Sequence, residues 1–296
     1  MYIIYMRRKI ISHGPSSLTI SLPSNWVKEC NLQKGDEIDV FEDDKGLLIK
    51  PINENNEIKR KTIIINEKNQ HAWKDILLAL HNQGYDEIKI NFDCEDITKQ
   101  IHTYLNEEQL GFEIIEQSNQ STTIRNISNP PCDQFNNLFR RIFRMTNEYA
   151  RKTESIMINE NNITESNLLY QTTISRLSNY CRRIIIKENK KTGTFYDNII
   201  SNINNINNEF TNILEQTKEG KIISLETNKI FSKISDIITQ TYNLHYQFST
   251  EEYTRIKSSI EEMEQEIKSL KELKTEMNII NKNIKRILSS ILAIQF

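Results

Sequence analysis

The period of the hydrophobic pattern changes twice along this chain of 296 residues. Near the N-terminus it is two. Leu18, Ile20 and Leu22 alternate with Thr19 and Ser21, and Ile38 alternates with Val40. This is the pattern of short strands with one buried face. Arg7 to Ile11 and Leu47 to Ile49 read as the outer two of four such strands. Pro23 stops the second strand because it has no N–H to donate. A short helix then opens at Pro23 or Ser24, buries Trp26 and ends at Asn31, a residue that tolerates a left-handed cap. Gly35-Asp36 and Asp43 to Gly46 read as turns.

From residue 59 to 128 strands and helices alternate. The pattern predicts strands over Thr62–Ile65, Glu87–Phe92 and Phe112–Glu116, with Thr122–Ile127 as a hairpin partner. It predicts helices over Asn69–Gln83, closed by Gly84, and over Glu95–Leu110. Pro130-Pro131 is a boundary, since two prolines fit neither a helix interior nor a central strand.

Beyond the prolines the period is helical throughout. Phe135, Leu138, Phe139, Ile142, Met145 and Tyr149 line one face. Tyr170, Ile174, Leu177, Cys181 and Ile184 line a second, and Ile199, Ile203, Ile206, Phe210 and Ile213 a third. Phe231, Ile234, Ile238, Thr241 and either Leu244 or His245 make a fourth. After a capping-box signature at Ser249 and Glu252, Ile256, Met263, Leu270, Met277, Ile284 and Ile291 recur every seven residues. A turn near Lys274 would divide this last stretch into two helices, although no glycine or proline marks it. The expected fold is therefore α+β and multidomain. A β unit spans 1–51, a small α/β domain 52–128, and an all-α bundle 133–296, the bundle made of two three-helix units, 133–218 and 222–296.

Composition narrows the function classes. The net charge of −2 excludes a generally basic nucleic-acid coat, so any such contact must be local. Cys30, Cys94, Cys132 and Cys181 are widely spaced with no C-x-x-C pair, which predicts reduced thiols rather than disulfides or zinc. No apolar run approaches the roughly 20 residues of a membrane span, and no catalytic spacing occurs. The expectation is a cytoplasmic protein that is not an enzyme, binds no cofactor and does not insert into membranes. The middle segment is acidic, with 8 basic against 13 acidic residues over 52–128. It reads as a spacer or dimerisation domain, with a small-ligand sensor as the alternative.

The N-terminal unit raises a physical problem. About 50 residues with few large apolar side chains bury too little to be stable alone, and four short strands leave edges unpaired. A second copy of the chain would answer both, which predicts a homodimer through this unit. Its charge is polarised: +4 over residues 1–34, −4 over 35–51. Arg7-Arg8-Lys9 is either a charged strand edge that blocks aggregation or half of a phosphate-attracting face.

The elements Leu22-Pro23-x-x-Trp26, Leu32-x-Lys34-Gly35-Asp36 and Gly46-Leu47-Leu48-Ile49-Lys50-Pro51 together resemble the SpoVT/AbrB-type swapped-hairpin DNA-binding domain. The resemblance implies interleaved hairpins from two chains. It also implies DNA contact by Arg7, Arg8, Lys9 and Lys28, with His13 near the groove. The order of such a domain, a small α/β segment and two three-helix units looks like the archaeal PhoU-domain phosphate uptake regulators. Leu138-Phe139-Arg140-Arg141-Ile142-Phe143-Arg144-Met145 is similar to the opening of that family's first helix. That likeness implies a transcriptional regulator of phosphate uptake and homeostasis, with a phosphate-transporter component as a partner of the bundle. The alternative is a dimeric signalling adaptor that binds such a component without touching DNA. PhoU domains carry acidic metal-binding motifs, but here Asn167, Asn204, Asn208, Lys282 and Ser289 stand where carboxylates are expected. Only Glu262 and Glu266 remain, and they read as a solvated face, so no metal site is expected.

Overall fold

The computed structural model describes residues 7–12, 14, 17–43, 46–51, 58–93, 97–128, 134–159, 165–188, 190–218 and 224–296. They fall into two compact units, Met1–Glu57 and Ile58–Phe296.

In the first unit β1 (Ile11–Ser12) pairs antiparallel with β2 (Leu18–Thr19), Ile11 opposite Thr19 and Ser12 opposite Leu18. Helix α1 (Ser24–Glu29) follows. Strands β3 (Ile38–Asp43) and β4 (Gly46–Pro51) form an antiparallel hairpin in which Asp43 faces Gly46, as the turn residues predicted. Asn31 ends α1 in the left-handed region at φ 52°, again as expected. The Leu32 N–H reaches back to the Val27 carbonyl at 3.0 Å and the Asn31 N–H to that of Lys28 at 3.1 Å, so the last turn keeps its acceptors occupied. Trp26 is only half-buried, not the core residue the pattern implied.

The second unit opens with a four-stranded sheet, β5 (Arg60–Ile65), β6 (Glu87–Phe92), β7 (Phe112–Gln117) and β8 (Ser121–Asn126), in the order β5-β6-β8-β7. β5 and β6 are parallel, and the other pairings are antiparallel. Two helices, α2 (Trp73–Asn82) and α3 (Ile97–Glu108), cover one face. The opposite face carries the row Arg60, Glu87, Arg125, Glu113 across all four strands, with Glu87 paired to Arg60 at 3.1 Å and to Arg125 at 2.5 Å. Leu77, Ile88, Ile90, Ile101 and Ile124 form the centre of this core.

Helix α2 starts four residues later than its apolar spacing predicts. The Asn69 side chain accepts the Asn66 N–H at 2.8 Å and donates to the Ile64 carbonyl at 2.8 Å, while Asn66 accepts from the Lys68 N–H at 3.0 Å. These amides compete with the helix for backbone partners. Gly84 closes α2 at φ +79°, its N–H bonded to the His81 carbonyl at 3.0 Å. A Cβ there would sit 3.2 Å from Lys187 Cγ, in addition to the backbone strain.

The described residues beyond form six helices: α4 (Gln134–Asn159), α5 (Glu165–Glu188), α6 (Gly193–Lys218), α7 (Leu225–Tyr246), α8 (Thr250–Ser269) and α9 (Lys274–Gln295). The predicted seams fill one hydrophobic core running from Phe135 to Ile291. Leu244 and His245 are both buried. The core does not divide between 133–218 and 222–296, since α4 packs on α7 and α6 lies along α9. The α8–α9 break falls at Leu273, which adopts φ 53°. Leu270 and Leu273 both insert into the core, and that burial holds a residue without glycine's freedom in the left-handed region. Ser249 caps α8 by accepting the Glu252 N–H at 3.1 Å, while the Glu252 carboxylate is directed to Arg255 at 2.9 Å.

The α/β layer is tied to the bundle through α5. The Arg183 guanidinium, 2% exposed, donates to the Asp86 carboxylate at 2.6 Å and to the carbonyls of Tyr85 at 2.6 Å and His81 at 3.0 Å. Lys187 pairs with the same carboxylate. His81 lies beneath, between the rings of Phe112 and Tyr180, and burial lowers its pKa to about 4. Cys30 and Cys181 are free thiols, and burial pushes that of Cys181 up to about 12. Cys94 and Cys132 lie outside the described residues.

Candidate nucleic-acid interface

Arg7, Arg8 and Lys9 form the segment that enters the β1–β2 ladder, and all three are exposed. The regular ladder starts only at Ile11, so the basic triplet precedes the strand rather than lying within it. Thr19 donates to the Ile11 carbonyl at 3.3 Å across the ladder, and Ser12 donates to the Gly14 carbonyl at 3.1 Å just beyond β1. His13 lies outside the described residues. Lys28 stands exposed in the last turn of α1, where a cation complements the partial negative charge of the helix end. Three of the four placed cations are thus adjacent in sequence and the fourth sits on the helix. Arginine and lysine side chains presented in this way neutralise phosphate without reading sequence.

The charge polarity survives in the fold. Downstream of Lys34, the Asp36 carboxylate folds back on the Gln33 N–H at 2.6 Å and closes the turn at Gly35, where φ is +104°. The acidic half then runs through the β3–β4 hairpin.

This unit buries little, as its small set of large apolar side chains implies. Among the residues of 7–51 whose side chains are described, none is buried. Ile10, Ile11, Leu18, Val40 and Leu47 are each more than half exposed. The alternating pattern pointed to one buried face per strand, but a single copy of the unit has nothing to cover it. The signal was present in the sequence as the small size of the apolar set.

Residues 13–57 match one protein family. That family is described as Antidote-toxin recognition MazE, bacterial antitoxin. The MazE-like segment begins just after β1 and takes in β2, α1 and the whole β3–β4 hairpin. It therefore supports an AbrB-type domain at the N-terminus, and it contains Lys28 and position 13 but not the basic triplet. No curated protein and no solved structure matches the chain.

Elsewhere, three asparagines of α6 are hydrogen-bonded to neighbouring helices. Asn207 donates to Thr146 of α4 at 2.9 Å, Asn204 accepts from Ser178 of α5 at 3.0 Å, and Asn208 accepts from Gln171 at 2.9 Å. Glu262 is exposed on α8, and Glu266 pairs with Lys233. Among the described residues no three His, Cys, Asp or Glu side chains gather in a way that could hold a metal ion. None of the described helices is long and apolar enough to cross a membrane.

Proposed function

We propose that this chain is a homodimeric DNA-binding transcriptional regulator acting in phosphate uptake and homeostasis in the cytoplasm. The observation that carries the DNA part is the MazE-like match over residues 13–57, set beside an exposed basic triplet and Lys28. Two copies of the unit would cover the apolar side chains that one leaves in water and would bring two sets of Arg7, Arg8, Lys9 and Lys28 to one duplex, with His13 at the groove. The phosphate part rests on the resemblance of the chain's domain order, and of residues 138–145, to PhoU-domain regulators. In this reading the bundle receives the signal or holds a phosphate-transporter component, and the chain catalyses nothing.

A second reading has one observation in its favour. Over residues 1–51 the charges cancel, +4 against −4, so the unit has no net attraction for a polyanion. It would then serve only to dimerise a signalling adaptor. Footprinting of the purified protein on its own promoter separates the two. The regulator protects a defined stretch of DNA at moderate salt, and Arg7→Ala with Arg8→Ala abolishes the protection. An adaptor leaves the DNA uniformly cut.

A further inference from the structure

Along one face of α9, Lys282, Lys285 and Arg286 follow at the i, i+3 and i+4 spacing of helical neighbours, all three exposed. They line a groove of about 690 Å³ against α6. The α6 wall contributes amides and hydroxyls, Asn198, Ser201 and Asn205, and no lining residue carries a carboxylate. Asn205 bridges to Asn283 of α9 at 3.3 Å, and Ser201 accepts from Arg182 at 2.9 Å, which brings a fourth cation to the rim. The acids nearby are engaged: Asp197 by Arg182 at 2.7 Å, and Glu264 by Lys285 at 3.8 Å. Lys282 and Arg286 have no ion-pair partner among the described residues.

Like charges at this spacing repel. A face meant only for solvent would intersperse glutamates, as α8 does with Glu252 and Arg255. Here only Lys285 has an acidic neighbour, Glu264 of α8, and among the described residues the repulsion between Lys282 and Arg286 stands uncompensated, opposite a wall of neutral donors. Lysine and arginine offer donors only, and hydroxyls and amides add to them. The complement of such a lining is a small anion rich in acceptor oxygens. From Lys282 to Ser289, which also lines the groove, the helix rises about 10 Å at ~1.5 Å per residue. That is longer than one phosphate group. The volume lies within the ~300–1,000 Å³ common for small-molecule sites.

We propose that the groove between α6 and α9 binds a small anion bearing a diphosphate group. Free pyrophosphate and a nucleoside diphosphate share that chemistry. The site needs neither DNA nor a second chain, so it stands apart from the regulator reading.

Isothermal titration calorimetry on the full chain at fixed ionic strength tests it, with pyrophosphate, ADP, orthophosphate and citrate as probes. Saturable binding of pyrophosphate or ADP, tighter than of orthophosphate or citrate, is expected. Binding of ADP alone would assign the nucleotide source, and tighter binding of pyrophosphate the free one. Lys282→Ala with Arg286→Ala should weaken binding by about tenfold for each charge-assisted contact removed, roughly a hundredfold together. The melting temperature of the same variant without ligand should hold or rise, because the repulsion is relieved. Arg7→Ala with Arg8→Ala should leave the affinity unchanged. The proposal is overturned if neither diphosphate binds saturably, if citrate binds more tightly, if the groove variant keeps its affinity, or if affinity is lost in the Arg7/Arg8 variant instead. A gel shift on the same preparation reports DNA binding separately, so failure of one reading is not mistaken for failure of the other.

Discussion

In α6, Ile199, Ile206, Phe210 and Ile213 are completely withdrawn from water, whereas in the N-terminal unit Leu18 is 72% exposed and Leu47 65%. Both regions contain aliphatic residues at regular spacing. The difference lies in what stands opposite them. A helix of the bundle meets neighbours of the same chain on its apolar face, and its seam closes within one molecule. Among the described residues of 7–51 the strands are two to six residues long and pair as separate two-stranded ladders. Two strands alone are at best marginally stable in water. Regular spacing therefore identifies a face that must be covered, but not whether the cover is intramolecular.

The largest effect expected from this contrast concerns autonomy. A fragment of residues 58–296 should keep its helical circular dichroism and melt cooperatively as a monomer. A fragment of residues 1–57 should sediment as a dimer at micromolar concentration and unfold on dilution. A stable folded monomer of 1–57 would remove the basis of the contrast.

A smaller effect tests how the second unit holds together. Replacing Arg183 by Ala leaves Asp86 with Lys187 and the Lys59 N–H, and takes the guanidinium donor from the Tyr85 and His81 carbonyls. Breaking such a buried pair costs about 3–5 kcal/mol, which urea unfolding of the 58–296 fragment would register as a lower midpoint. An unchanged midpoint would show that the α/β layer and α5 are held by apolar packing alone.

Acid should separate the units further. Burial lowers the pKa of His81 from 6.5 to about 4, with a further lowering from the Arg183 charge set against the hydrogen bond to Asn82. Burial also lowers that of His245 to about 4. A histidine whose folded pKa is depressed takes up its proton more readily when unfolded. Its contribution to stability is whole above pH 6.5 and is lost as pH falls toward 4. The loss is on the order of 3 kcal/mol per histidine when complete. Thermal melts of the 58–296 fragment between pH 7 and 4 should show it, and His245→Phe should reduce it. A flat profile above pH 4.5 would contradict the assignment.

Much of the bundle was legible before the fold. Every seam residue from Ile199 to Ile213 and from Ile256 to Ile291 is buried, because a helical period that long admits one face only. Boundaries were less legible where side chains intervene. The amides of Asn66 and Asn69 delay α2, and Leu273 breaks the last helical stretch by burial in place of a glycine. Contacts between distant residues left no mark in the sequence. Arg183 finds Asp86 across 97 positions, and Lys282 shares a groove with Ser201 only because α6 lies along α9. Of the candidate DNA-contacting residues, the run Arg7-Arg8-Lys9 and the exposure of Lys28 were readable, since charge and local helix position need no tertiary information. The apolar exposure around them was readable only as an apolar set too small for one copy to cover, not residue by residue.

The central claim, that the N-terminal unit grips DNA as a dimer through its basic residues, is tested most directly by a salt titration of DNA affinity with the full chain. If Arg7, Arg8, Lys9 and Lys28 of both copies each neutralise a phosphate, about eight charges are engaged, and log affinity should fall with log salt at a slope of roughly −7. Arg7→Ala with Arg8→Ala should flatten that slope to about half and weaken binding to all sequences alike. An affinity that ignores salt, or a double variant that binds as tightly as the parent, would contradict the account.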